Sequence, residues 1–183
     1  MREDGPVTTT TDTQSRRGFA SPADIARSMG LVLLIIVAVM LLIPSRNKNV
    51  QVIDYSNDLR VARSAAPFHV VAPTGLGAGW RATNVLYSGS GPSTLWHLGF
   101  VSPKDAFTGV DQLAAPSAAD LRHYTHSGTK DGTVQIGGKP WQRWYASEAG
   151  VRALVMETGD STVVVSGMTS SYDPLVELAS SLR

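Results

Sequence analysis

The chain has 183 residues, of which 43% are hydrophobic, and its 16 basic and 15 acidic side chains leave a net charge of +1. This balance argues against nucleic-acid binding, because a protein that neutralises many phosphates carries a clear excess of Lys and Arg. The sequence contains no cysteine, which excludes disulfides, thiolate metal sites and a cysteine nucleophile.

The N-terminal part combines a polar tail with a long apolar run. Residues 1–21 are rich in Ser and Thr and show no periodicity, so we expect a disordered tail. From Met29 to Ile43 every residue is apolar or glycine, and Ser21 and Pro44 are suited to begin and end a helix around this run. A helix over 22–44 would be long enough to cross the roughly 30 Å of hydrocarbon in a bilayer. We predict that it is a transmembrane helix.

Two other interpretations of the apolar run are weaker. A buried helix of a soluble protein is normally amphipathic, whereas this run is apolar on every face. A cleaved signal peptide needs small residues after its apolar core, and the sequence there reads Met-Leu-Leu-Ile-Pro-Ser-Arg. The segment Ser15–Phe19 resembles a twin-arginine export motif, but a basic cytosolic flank explains its arginines equally well. The sequence therefore favours a permanent anchor.

The orientation of this anchor does not follow from charge, because basic residues flank the run on both sides. We expect the short polar tail to stay in the cytoplasm and the larger C-terminal part to lie outside the plasma membrane. Residues 45–66 are expected to form a juxtamembrane linker that ends in a short helix, NDLRVARSAA. This helix must end before Pro67, because the residue that precedes a proline disfavours the helical conformation.

Alternating apolar residues and turn signals predict strands beyond Pro67. The first candidates are the segments FHVVAP, WRATNVLYS, TLWHLGFVS and AFTGVDQL, with the loops TGLGAG and GSGPS between them. Ser117 and Asp120 then have the spacing of a capping box and predict a short helix, AADLRHYTHS.

Two hairpins follow this helix in the predicted order of elements. GTVQI and WQRWYAS are joined by Gly137–Gly138, with Lys139 and Pro140 expected to widen the turn. VRALVMET and STVVVSGMT are joined by Gly159–Asp160. A last helix is expected to begin with Asp173 as its cap and Pro174 at its first position.

About six strands with few and short helices predict an α+β domain over 67–183, in which helices pack on one side of an antiparallel sheet. Such a domain is large enough to bury a core. The four tryptophans are expected to fill that core or to line a cleft in it: Trp80, Trp96, Trp141 and Trp144.

Three short motifs link the chain to a known family. They are Gly-Trp at 79–80, Trp-x-Leu-Gly-Phe at 96–100 and Gly-Gly-x-x-Trp at 137–141. With their neighbouring segments they resemble DUF4245, an actinobacterial family of unknown function, over most of residues 28–183. The resemblance implies a single-pass membrane protein and brings no catalytic residues. The architecture also looks like that of the Mog1/PsbP-like group or of the envelope lipoprotein-domain group, and this analogy carries no function by itself.

A candidate binding surface lies in the segment WQRWY. In a strand, Trp141, Arg143 and Tyr145 would face one way and Trp144 the other. An arginine beside exposed aromatic rings is a common recognition surface. The alternative is that these rings pack in the core.

Catalytic and cofactor motifs are not evident in the sequence. The segment GLGAGW does not match the dinucleotide-binding pattern G-x-G-x-x-G. His123 and His126 are three residues apart but have no partner ligands near them in sequence, so we expect no metal site. His97 is interpreted as a hydrogen-bonded strand histidine, and a catalytic role for it would require a carboxylate or hydroxyl within hydrogen-bond reach in a cleft.

The sequence therefore predicts a non-enzymatic binding module of the cell envelope, without cofactors. Its membrane contact would be the bilayer around residues 22–44, and its partner another envelope protein or a small apolar or glycan ligand. Two alternatives stay open, an envelope hydrolase with an unrecognised site and a structural subunit of a membrane complex.

Overall fold

A computed structural model describes Arg27, residues 29–36 and residues 51–183 of the chain. The chain divides between Lys48 and Asn49 into two units, which are described separately. The predicted tail over 1–21 lies outside the described residues, as does most of the predicted transmembrane segment.

In the first unit, residues 29–36 are helical and their apolar side chains are exposed. None of the helices among the described residues has both the length and the apolar character required to cross a membrane. The part of the predicted anchor that the structure describes is thus a helical fragment of the expected composition.

Over residues 51–183, the second unit contains three α-helices, a short 3-10 helix at Gly91–Ser93 and seven strands. Helix α1 spans Ser56–Ala65, α2 spans Ala118–Tyr124 and α3 spans Asp173–Ser180. The strands, in chain order, are β1 Arg81–Ser88, β2 Leu95–Val101, β3 Phe107–Leu113, β4 Thr129–Ile136, β5 Lys139–Ala146, β6 Val151–Glu157 and β7 Thr162–Met168.

All seven strands form one antiparallel sheet with the order β1-β2-β3-β7-β6-β5-β4. Strands β1 to β3 form one meander and β4 to β7 another. The two meanders meet where β3 pairs with β7, with Val110 opposite Val165. The predicted α+β class with an antiparallel sheet is confirmed, and seven of the eight candidate segments are strands.

One face of the sheet is closed by α1, α3 and the segment 67–74, which we call the covering segment. The core between them is made by the apolar side chains that alternate along the strands, including Trp96, Leu98 and Trp141. Leu175 and Leu178 of α3 are fully buried against the same face. Burial of this apolar area is the main stabilising contribution to the unit.

The opposite face, which we call the open face, is covered only in part. Leu121 and Tyr124 of α2 pack on a small cluster that includes Val155 and Val164. The prediction that the helices pack on one side of the sheet is therefore wrong for α2. Helix α2 lies in the connection from β3 to β4, which joins the two meanders. This connection passes over the open face, so α2 packs there.

The covering segment corrects another prediction, because FHVVAP is not a strand of the sheet. Its backbone is bound in part by side chains of the sheet, with Trp96 Nε1 donating to the Val71 carbonyl at 3.0 Å, and in part by the backbone near the C-terminus. Ala72 and Arg183 exchange two backbone hydrogen bonds, each 3.0 Å long. Apolar residues of the segment are buried, which explains why its pattern resembles that of a strand.

Smaller corrections concern turns and caps. Lys139 and Pro140 lie inside β5 and pair with Ile136 and Gln135, so they do not widen the turn. Gly137 and Gly138 suffice for it because both adopt positive φ, 58° and 77°, as a two-residue hairpin turn requires. The N-cap of α3 is Tyr172, and Asp173 is its first helical residue. The capping box of Ser117 and Asp120 is present as predicted.

Candidate functional site

A row of small residues crosses the open face and forms the floor of a groove. Asn84, Gly99, Gly109, Ser166 and Ala153 stand opposite one another on five neighbouring strands. Because glycine has no side chain, the sheet surface is lowest in the middle of this row. The space above it has a volume of about 580 Å³, which is the size of a small-molecule site.

The flanks of this groove differ from its floor. Leu86, Phe107 and Met168 line it and are exposed, Phe107 by 60% and Met168 by 66%. Large apolar side chains at such exposure, next to a concave surface, are typical of interaction sites. We call this space, with its floor and flanks, the open-face groove.

His97 and Asp111 form a polar pair inside the open-face groove. His97 Nδ1 lies 2.7 Å from Asp111 Oδ1, across the β2–β3 ladder, where the two residues are directly opposite. Asp111 is only 7% exposed. In the neutral ring, Nδ1–H donates to this carboxylate, and Nε2 is left as the acceptor.

The His97 ring lies over the glycines of the floor. A Cβ atom placed on Gly109 would be 3.4 Å from His97 Cε1, and one placed on Gly99 would be 3.5 Å from Nε2. Nε2 has no hydrogen-bond partner among the described residues. The ring therefore presents an unused acceptor to a ligand in the groove.

A polar hollow of about 390 Å³ continues the open-face groove toward the end of α2. The two spaces share Asp111, Tyr124, His126 and Ser166 as lining residues. Burial raises the pKa of the Tyr124 phenol, and the negative charge of Asp111 raises it further. The phenol thus stays protonated and can donate a hydrogen bond. The remaining residues that line this polar end are Arg122, His123, Ser127 and Ala149.

The backbone after α2 adopts an unusual conformation at this end. His126 and Ser127 have φ angles of 52° and 55°, in the left-handed region that strains residues other than glycine. Hydrogen bonds hold the turn, since Ser127 N donates to the Arg122 carbonyl at 2.7 Å and His126 N to that of His123 at 3.0 Å. His126 lies beyond the helix, so it does not share a helical face with His123.

The four residues of the predicted aromatic surface are divided between the two faces. Trp141 is 2% exposed and belongs to the core, whereas Trp144 packs beside the cluster on the open face. Lys130 Nζ lies 5.4 Å from the centre of the Trp144 ring. The predicted alternation is confirmed, but it separates the two tryptophans. They do not form one surface.

Arg143 and Tyr145 take part in a stack of cations and rings within the fold. The Arg143 guanidinium lies 4.3 Å from the Tyr172 ring centre, and that of Arg152 lies 4.5 Å from the Tyr145 ring centre. Arg143 also pairs with Asp131 at 2.8 Å, and this hydrogen bond lowers the pKa of the Asp131 carboxyl. The arginine therefore has its partners inside the chain.

A second cavity, of about 330 Å³, lies at the edge of the covered face and is lined by Trp141, His69 and Lys139 among others. It contains no hydrogen-bonded acid–base pair like that of His97 and Asp111, so we regard the open-face groove as the candidate site. Among the described residues, no three His, Asp or Glu side chains are grouped so that they could hold a metal ion.

Sequence reasoning missed Asp111 as the partner of His97, although a signal for it exists. If β2 and β3 are paired around the turn at Pro103–Lys104–Asp105, His97 falls opposite Asp111. The pair of glycines beside them, Gly99 and Gly109, falls opposite in the same register. Ser166 and His126 could not be found in this way, because their neighbours are distant in sequence.

Comparisons with known proteins identify no ligand for the open-face groove. No curated protein and no solved structure matches the chain significantly, so the similarity to the Mog1/PsbP-like group stays a prediction. The family model described as a protein of unknown function, DUF4245, matches residues 17–182. Since this match covers nearly the whole chain, the chain belongs to DUF4245, a family of proteins of unknown function.

Proposed function

We propose that the folded unit is a non-catalytic binding module of the cell envelope and that its open-face groove holds a small ligand. The observation that carries this proposal is the groove itself. Its floor is a row of small residues, its rim exposes Phe107 and Met168, and an unpaired His97 nitrogen faces its interior. A concave apolar surface with a few polar groups is the usual form of a ligand site.

The proposal includes attachment to the plasma membrane through residues 22–44. Support comes from the described fragment of that segment, whose residues 29–36 form a helix with exposed Leu, Val and Ile side chains. Exposed apolar side chains on a helix without charges are suited to lipid. The folded unit would then work on the outer side of the membrane.

Photo-crosslinking in intact cells tests the groove. The full-length chain would carry benzoylphenylalanine in place of Phe107, and in a matched control in place of Val61, which is exposed on α1. We expect a small-molecule adduct at position 107, detected by mass spectrometry, and none at position 61. Gly109→Val, which fills the floor, should remove it. Equal labelling at both positions, or none at 107, would contradict the proposal.

A hydrolase is the second candidate, because His97 meets the condition that a catalytic histidine requires. Its Nδ1 is bound to a buried carboxylate, so Nε2 could take a proton from a water that attacks an ester carbonyl, and could return this proton to the leaving alcohol. Asp111 would stabilise the imidazolium between these steps.

Hydrolysis of p-nitrophenyl hexanoate by the full-length chain separates the two candidates. If the chain is an enzyme, His97→Asn should lower the rate at least about 100-fold. His69→Asn should leave the rate unchanged, because His69 lies outside the groove. The binding proposal predicts the same background rate for all three proteins. A His97-dependent rate would replace it with the hydrolase.

A further inference from the structure

The two ends of the open-face groove differ in chemistry, and this difference restricts the ligand. The end at Phe107 and Met168 is lined by apolar and uncharged side chains, whereas Leu86 stands opposite His97 on the neighbouring strand. An ion placed there would lose its hydration without a partner. A ligand that fills the whole groove must therefore have an uncharged, largely apolar body at this end.

The other end is lined by an arginine and two histidines. Arg122, His123 and His126 converge on the polar hollow, and Arg122 makes no side-chain hydrogen bond or ion pair with another described residue.

Two of the three acids near this end are already bound. Asp111 is engaged by His97 at 2.7 Å, and Asp120 by Ser117 in the capping box. Glu148 lines an adjacent hollow with His126 and Ser127. Asp111 and Asp120 are thus not available to Arg122, and a ligand of opposite charge would pair with its guanidinium.

The backbone at His126 and Ser127 supports a role in binding. A glycine would adopt these positive φ angles without strain, and glycine is the usual residue after a helix. The chain instead has two residues whose side chains line the polar hollow. Strain of this kind persists where the surrounding structure holds it, and it is common at functional sites.

From these observations we infer that the ligand of the open-face groove is an amphipathic anion, with an apolar body and one terminal acid group, either a phosphate or a carboxylate. The body lies over the glycine floor between Leu86 and Phe107, and the acid group lies between Arg122 and His126. Tyr124 is placed to donate to the same group. This inference rests on the proposed function, because it names the ligand class of the same groove.

The experiment uses the full-length chain in phosphatidylcholine nanodiscs and follows the histidine ring resonances by NMR. Four probes are titrated: hexyl phosphate, hexanoate, hexanol and inorganic phosphate. We expect the two amphipathic anions to bind at least about tenfold more tightly than hexanol or inorganic phosphate, because a hydrogen bond to a charged group contributes roughly 1.5–3 kcal/mol. The titration with hexyl phosphate is repeated in nanodiscs that contain phosphatidylglycerol. If the groove takes a lipid headgroup, these nanodiscs should compete and weaken the apparent binding of hexyl phosphate; if it takes a free anion, they should not.

Matched variants locate the acid group. Arg122→Gln and His126→Asn should each weaken hexyl phosphate about five- to tenfold and leave hexanol unchanged. Asn tolerates the positive φ at position 126, so the fold is kept. The controls Arg60→Gln and His69→Asn make the same changes outside the groove and should have no effect. Gly109→Val should remove all binding.

The outcomes separate this inference from the proposed function. If hexyl phosphate and hexanol bind with equal affinity and Gly109→Val abolishes both, the inference of an acid group is wrong but the groove remains a ligand site. Equal affinity for hexyl phosphate and inorganic phosphate would overturn the apolar body. Absence of binding by all probes, or binding that Gly109→Val leaves intact, would overturn the proposed function together with the inference.

Discussion

At the scale of single residues, Gln112 shows how a polar side chain holds the covering segment on the sheet. It is 1% exposed and lies on the covered face of β3. Its Oε1 accepts from Val71 N at 2.9 Å, and its Nε2 donates to the His69 carbonyl at 2.8 Å and to Ser161 Oγ at 2.9 Å. The amide therefore satisfies backbone groups that a neighbouring strand would otherwise satisfy.

We predict that Gln112→Leu destabilises the folded unit by about 2–4 kcal/mol. The substitution leaves a partly buried N–H and a partly buried carbonyl of the covering segment without partners, and the loss of such a partner costs about 1–3 kcal/mol. Urea unfolding followed by tryptophan fluorescence measures the change. Gln135→Leu, at an exposed position of β4, is the matched control and should change stability by less than about 0.5 kcal/mol. Equal effects of the two substitutions would contradict this role of Gln112.

Asp160 provides a prediction about pH. Hydrogen bonds from Thr158 Oγ1 at 2.7 Å and from His69 N at 3.1 Å lower the pKa of this carboxyl. A lowered pKa in the folded state adds stability above the ordinary value of about 3.9, and this stability is lost as pH falls through the folded pKa.

We therefore expect Asp160→Asn to cost about 0.5–1 kcal/mol at pH 7, a small value because the side chain is exposed. The difference from the natural chain should shrink below pH 4 and vanish at still lower pH, where both side chains are neutral. Unfolding curves between pH 7 and pH 2 measure it. A difference that is constant with pH would show that the charge of Asp160 contributes nothing.

At the scale of elements, the turn after α2 lines the polar end of the groove and also has a strained backbone. Because His126 has a φ of 52°, His126→Gly should stabilise the folded unit by about 1 kcal/mol. The same substitution three residues earlier, His123→Gly, lies inside the helix and should destabilise it by about 0.5 kcal/mol. Thermal unfolding of the two variants measures these opposite signs. If both variants lose stability, the turn at His126 is not strained.

The elements also show what sequence reasoning reaches. Strands such as β2 and β7 were predictable because their side chains alternate and turn residues bound them. The covering segment was not. Its apolar residues are buried as in a strand, but its hydrogen bonds come from the Gln112 and Trp96 side chains and from the Arg183 backbone, which are all distant in sequence. The local pattern of apolar residues indicates which side chains are buried. It does not indicate which groups bind the backbone N–H and carbonyl groups.

The aromatic segment WQRWY illustrates the same limit for the site. Its alternation was predictable, whereas the partners of Arg143 were not, because Asp131 and Tyr172 come from β4 and from the start of α3. The groove depends on the pairing of β3 with β7, in which Gly109 stands opposite Ser166. Register between strands so far apart in sequence is decided by the whole fold.

At the scale of the whole molecule, the β3–β7 ladder makes the candidate site depend on both meanders. The first meander supplies His97, Asp111 and the two floor glycines, and the second supplies Ser166 and Met168. Helix α2, in the connection between the meanders, adds Tyr124 and the turn at His126. A ligand in the groove would thus contact both halves of the folded unit and should stabilise them together, since binding to the folded state alone raises the free energy of unfolding.

Attachment to the membrane and its orientation can be tested because the natural chain has no cysteine. We predict that a single cysteine at Ser180, an exposed position of α3, reacts with a membrane-impermeant maleimide in intact cells. A single cysteine at Thr9, in the polar tail, should react only after lysis. The physical reason is that a charged reagent does not cross the bilayer, so each cysteine reports the side on which it lies.

The same two variants separate the anchor from its orientation. The natural chain is the control and should remain unlabelled. Recovery of the full-length chain in the membrane pellet after extraction at high pH is expected, because a helix over 22–44 buried in hydrocarbon is released only by detergent. Release into the soluble fraction would contradict the anchor. Retention in the pellet with labelling of Thr9→Cys but not Ser180→Cys in intact cells would keep the anchor and reverse its direction, which would place the open-face groove in the cytoplasm.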